Sequence, residues 1–176
     1  MQPPRPPQPE PQALPGQATQ ARHAGLARAE PTRIEIPAIG VDAALLSLGV
    51  DEKNELAVPP LERAELASWY NLGPSPGEPG SAVIVGHVDS EKIGPAVFFN
   101  LGNLRAGDTI TVTRKDGTKP TFKVESVQSF LKTSFPTQLV YEGEQATLRV
   151  ITCGGEFDKK NRNYLSNVVV FASLNP

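Results

Sequence analysis

The chain carries one cysteine and, outside its first thirty residues, one histidine, and these are the groups that could do covalent chemistry. Cys153 closes the apolar run Leu148, Val150, Ile151, Thr152 and is followed by Gly154 and Gly155. A lone thiol makes neither an intrachain disulfide nor a cysteine-based zinc cluster. His87 closes a second apolar run, Ala82 to Gly86. A thiol and an imidazole, each after a buried strand, are the parts of a nucleophile with its proton partner. The competing reading is a small buried hydrophobe, since free cysteine is often core. Three features favour the nucleophile. The thiol is expected to follow its strand, Thr152 can hydrogen-bond nearby backbone, and the two glycines leave N–H groups open to a developing oxyanion.

Thiolate is the attacking species, so a positive neighbour is needed. The loop Glu156 to Tyr164 offers Arg162, which leads into the last strand and could swing towards Cys153. Its guanidinium would hold an oxyanion or a substrate carbonyl. Arg149 shares the Cys153 face by the period of two and is the reserve candidate. Asp89 with His87 is too small a set for a metal, so neither metal nor cofactor is expected.

The elements that must place these groups are short strands. Arg33 to Ile36 alternates and stops at Pro37, Ala44 to Val50 is a second apolar run, and Leu56 to Val58 a third. Pro59-Pro60 opens a helical turn expected over Leu61 to Trp69. Ala82 to His87 is continuous and β-branched, as in a strand buried on both faces. Thr109 to Thr113 and Phe122 to Val127 alternate around Asp116-Gly117, a hairpin signal. A loop from Lys132 to Gln145 precedes the Cys153 strand, and Val168 to Phe171 is the last strand. About eight strands with one or two short helical pieces predict an all-β fold, a closed or nearly closed eight-stranded barrel.

With 176 residues, 39% of them hydrophobic, the chain can bury one domain core. A net charge of −2 gives no basic face for nucleic acid. No run reaches the roughly 18 apolar residues of a membrane span. Residues 1–30 differ in texture: prolines from Pro3 to Pro15 alternate with Gln, Glu and Arg, and Ala18 to Ala29 is Ala-rich. They are expected to form an extended, flexible stalk or linker ahead of a catalytic domain over 31–176.

Gly86-His87-Val88-Asp89-Ser90, Gly94-Pro95-Ala96-Val97-Phe98, Ile151-Thr152-Cys153-Gly154-Gly155 and Asn167-Val168-Val169-Val170, in this order, resemble a sortase. The similarity is greatest to the actinobacterial class F type. The resemblance implies a Gram-positive cysteine transpeptidase on an eight-stranded barrel. It would cut a Leu-Pro-any-Thr-Gly (LPXTG) sorting signal after Thr through a thioacyl intermediate. It would then join the surface protein to an amine of the peptidoglycan precursor of the cell wall. It also implies His87 and Cys153 as catalytic residues, and work at the outer face of the membrane. The family's N-terminal transmembrane tether is not part of this chain, whose Pro-rich segment would be its stalk.

Two departures stand out. Many sortases read Thr-Leu-any-Thr-Cys at the nucleophile, where this chain has Arg149-Val150-Ile151-Thr152-Cys153. The family arginine usually lies near the start of the last strand, a place held here by Leu165 or Asn167. Arg162 is the nearest arginine and is assigned the role. Phe135 and Leu139 are candidates to receive the Leu-Pro part of the signal, against the more ordinary reading that they anchor their loop into the core. A cysteine protease without transfer and a non-enzymatic β-barrel binding module are the alternatives.

Overall fold

A computed structural model describes residues 5–9 and 25–175. The predicted barrel is present. Its strands are β1 (Pro31–Ile36), β2 (Val41–Leu48), β3 (Ala67–Tyr70), β4 (Gly80–Gly86), β7 (Thr109–Arg114), β8 (Thr121–Leu131), β9 (Ala146–Asp158) and β10 (Asn163–Leu174). A separate two-stranded ribbon, β5 (Asp89–Ser90) with β6 (Gly94–Pro95), follows β4. The barrel closes in the order β1-β2-β3-β4-β9-β10-β8-β7, with β7 returning to β1. Two pairs, β2 with β3 and β4 with β9, are parallel, and the other barrel pairs are antiparallel.

Two apolar layers follow from the alternation of the strands. Inside the barrel, Ile34, Ile36, Trp69, Ile84, Phe98, Ile110, Phe122, Leu148, Val150, Val168 and Val170 share one core. Outside it, Val83, Val85, Ile151, Val169 and Phe171 form a second layer with Val140 of α1 (Thr137–Tyr141). Strands β4, β9 and β10 are therefore apolar on both faces, which is why Ala82 to Val85 reads as an unbroken run.

Three expectations change. The helical turn predicted over Leu61 to Trp69 is a 3-10 turn at Leu61–Arg63 only, and Ala67–Tyr70 is a strand. Ala67 is paired with Leu45 of β2 on one side and Gly86 of β4 on the other, and this slot overrides local preference. The loop from Lys132 to Gln145 contains α1, held onto the outer layer by Val140. Cys153 lies within its strand, because β9 continues against β10 after β4 has ended.

Part of the N-terminal stretch is packed on the barrel. Leu26 N–H donates to Gly77 O at 2.7 Å. Arg28 sits over the Trp69 ring and donates to the carbonyls of Gly73 and Asn71. Pro6 is buried. Among the described residues no helix is long and apolar enough to cross a membrane.

Candidate active site

The parallel pairing of β4 and β9 carries the histidine and the cysteine to corresponding positions on neighbouring chains. Val85 is opposite Ile151, and both chains run the same way. Two residues further along lie His87 and Cys153. Thr152 secures this junction, its hydroxyl donating to Gly86 O at 2.8 Å. Both His87 and Cys153 are half-buried, accessible beside a fully buried sheet.

His87 is held from several sides. Its Nε2 is 2.5 Å from the carbonyl oxygen of buried Pro59. A carbonyl only accepts, so Nε2 carries the proton, and in the neutral ring Nδ1 is the free base. The carbonyl of His87 accepts from Phe98 N–H at 3.1 Å. Gly86 is required beside it, since a Cβ there would lie 2.6 Å from Phe98 Cδ2 and 2.7 Å from Val97 Cγ1.

After Cys153 the β9–β10 ladder bulges. Cys153 is paired with Asn167 and Gly154 with Ser166, but the register then shifts between Ser166 and Tyr164. Gly155 has φ +79, and a Cβ on it would meet Ser166 Cβ at 2.8 Å. A Cβ on Gly154 would meet Val168 Cγ2 at 2.7 Å. The Gly-Gly pair therefore has a steric cause, and the bulge opens the ladder next to the thiol, as bulges beside active sites do.

The residues around the sulfur differ from the sequence expectation. Arg162, at φ +52 in the β9–β10 turn, pairs with Glu91 at 3.3 Å, both side chains 74% exposed. The swing of Arg162 towards Cys153 is not what the structure shows. Arg149 faces the Cys153 side of β9 but is buried under Phe171, its guanidinium 4.7 Å from the ring centroid. Burial lowers it to about 10, a pull that the charge of Glu125 opposes. The cation on the sulfur is Lys132, whose Nζ lies 3.5 Å from Cys153 Sγ and 2.9 Å from Asn163 Oδ1.

Tyr164 is a second residue that the sequence reading missed. Its hydroxyl donates to the Asp89 carboxylate, and its ring meets Phe157 edge to face with centroids 5.0 Å apart. Burial first, then the hydrogen bond and charge of Asp89, then the nearby Cys153, push its phenol above the usual range. Lys132 and Tyr164 had no motif to mark them. Phe135 and Leu139 pack on the outer layer with Phe130 and Phe171, the anchoring alternative. Leu131, Phe157 and Leu165, each 41% exposed or more, leave apolar surface close to the site. The described N-terminal residues also reach it: Pro7 O rests against Gly102, and the Gln8 amide lies next to Gly154.

The arrangement can perform acyl transfer: a thiol nucleophile, an imidazole with a defined tautomer, a cation and a glycine bulge beside the sulfur. The sortase-domain family model matches residues 34–175. No curated protein was found to match. Solved structures similar in fold include sortase C-1 from Actinomyces oris, with 21% identity and a TM-score of 0.63, covering 82% of this chain and 73% of that one. Sortase A from Corynebacterium diphtheriae has 19% identity and a TM-score of 0.62, over 85% of this chain and 62% of that one. A Clostridium perfringens sortase D5 transpeptidase has 20% identity and a TM-score of 0.61, over 84% and 79%.

Proposed function

We propose that this chain, which belongs to the sortase family, is a cysteine transpeptidase acting on an LPXTG-type sorting signal. The observation that carries this reading is the parallel β4–β9 register, in which His87 and Cys153 each follow two residues after the Val85–Ile151 pair. The Cys153 thiolate attacks the carbonyl carbon of the substrate Thr, forming the C–S bond and an oxyanion. As the oxyanion collapses, the Thr–Gly C–N bond breaks and His87, as imidazolium, gives its proton to the departing amine. An incoming amine then attacks the thioester, His87 takes the proton from it, and the C–S bond breaks. The backbone N–H groups of the Gly154-Gly155 bulge, next to the sulfur, are the candidate oxyanion donors. Arg162 can reach a substrate carbonyl only by releasing Glu91.

The apolar surface of Leu131, Leu165 and Phe157 suits the Leu-Pro part of the signal. Attachment to a cell-wall amine, the actinobacterial class F assignment and a position at the outer membrane face with residues 1–30 as stalk belong to the same proposal. The sequence motifs suggest them.

The test is mass spectrometry of the protein after incubation with an LPXTG peptide. The expected result is a mass increment on Cys153 equal to the acyl part up to Thr, discharged by hydroxylamine and absent in Cys153→Ala. Cleavage that persists in Cys153→Ala overturns the reading. Added amine that yields only hydrolysis product leaves a protease rather than a transpeptidase.

A further inference from the structure

We propose that Lys132 is the catalytic cation of this site, holding the Cys153 sulfur before attack and the substrate oxyanion after it. The inference rests on the transpeptidase reading for its second half, and on geometry alone for its first.

The place near the start of the last strand, where the resemblance calls for arginine, holds Leu165 and Asn167. Neither brings a charge. Cys153 is on β9, Asn167 opposite it on β10, and Phe130 opposite Asn167 on β8. Lys132, two residues beyond Phe130, is the first residue of the 3-10 turn Lys132–Ser134 that follows β8, and its side chain turns back to the sulfur. Between them lies the width of β10, roughly 10 Å at ordinary strand spacing. A long unbranched side chain can cross this distance, and Leu165 offers no competing charge on the way.

The contact is directed. Asn163 Oδ1 accepts from the Lys132 ammonium at 2.9 Å, which steers Nζ towards Sγ at 3.5 Å. An ammonium has three donors, so these two bonds leave one for a carbonyl oxygen placed at the sulfur. The two arginines that the sequence put forward are committed elsewhere, Arg162 to Glu91 and Arg149 beneath Phe171, while Arg5 of the N-terminal stretch lies near Tyr164. Lys132 transfers no proton in this role. It stays an ammonium while negative charge passes from sulfur to oxygen and back.

Lysine also differs from arginine in kind. It is a compact point charge rather than a planar fork. It can follow the charge over a short path but does not clamp the substrate in two places.

Two measurements on Lys132→Met, Lys132→Arg and Asn163→Ala separate this inference from the function it rests on. The first is the rate of Cys153 alkylation by iodoacetamide at neutral pH, with circular dichroism to verify the fold. Lys132→Met is expected to react about tenfold more slowly, Lys132→Arg within about threefold of the parent, and Asn163→Ala in between. The second is kcat/KM for cleavage of an LPXTG peptide. A fall of about 100-fold is expected for Lys132→Met, with most of it recovered in Lys132→Arg. A folded Lys132→Met that alkylates at the parental rate sinks the inference, whatever peptide the enzyme accepts. Conversely, slowed alkylation in a protein that cleaves no sorting peptide keeps the cation role and removes the transpeptidase reading.

Discussion

The hydroxyl of Tyr164 donates to the carboxylate of Asp89, tying the first turn of β10 to the residue two places after His87. The bond joins the two halves of the site across the bulge.

Tyr164→Phe removes this donor and leaves the edge-to-face contact with Phe157. We expect kcat/KM for peptide cleavage to fall about ten- to hundredfold, on the scale of one hydrogen bond to a charged group. Because burial and Asp89 raise the phenol above its usual range, it remains the donor throughout neutral pH. The alkaline side of the rate profile below about pH 10 should therefore be the same in parent and variant. A profile that changes there assigns the tyrosine a titrating role instead.

Arg162→Ala breaks only an exposed pair with Glu91. Such pairs contribute little in water. A loss in kcat/KM smaller than about fivefold is expected, against the much larger loss for Lys132→Met. If the two variants exchange places in steady-state assays, the cation of the site is Arg162.

Gly155→Ala places a Cβ at φ +79 and against Ser166. A strained conformation of this kind costs roughly 1–3 kcal/mol. Urea unfolding should show the lower midpoint, and alkylation of Cys153 should change as the bulge shifts. An unaltered midpoint means that the ladder does not need a glycine there.

Asp116 provides a pH test remote from the site. Its carboxyl is lowered to about 2, by the Thr118 hydroxyl first and by Arg114 next. Arg114 is buried, with Nη2 2.8 Å from Asp116 Oδ2 and Nη1 donating to Pro76 O. A depressed carboxylate adds stability that is fully present above its unfolded pKa, about 3.9, and is lost as pH falls through about 2. Asp116→Asn should therefore melt below the parent at pH 7, and the two melting temperatures should converge on acidification to about pH 2. A gap that stays constant with pH would show that packing, not charge, holds this corner.

Cys153, His87, the Gly-Gly pair and the hairpin at Asp116-Gly117 could all be read along the chain, because each is marked by residue type within a few positions. The barrel was legible for the same reason: alternation and turn residues are local signals, and about eight strands with few helices leave few ways to cover a core. The segment Ala67–Tyr70 was not, since its strand state comes from the gap between β2 and β4 rather than from its own residues.

The electrostatics of the site were decided only in three dimensions. Arg162 is the arginine nearest the last strand in sequence, yet it ends on Glu91, while Lys132, twenty-one positions before Cys153, has its ammonium on the sulfur. Covalent order places residues along a strand, but charge acts through space. Which cation reaches the thiol depends on the β8–β10–β9 registers and on Asn163 at the bulge, and neither is written in the spacing of basic residues.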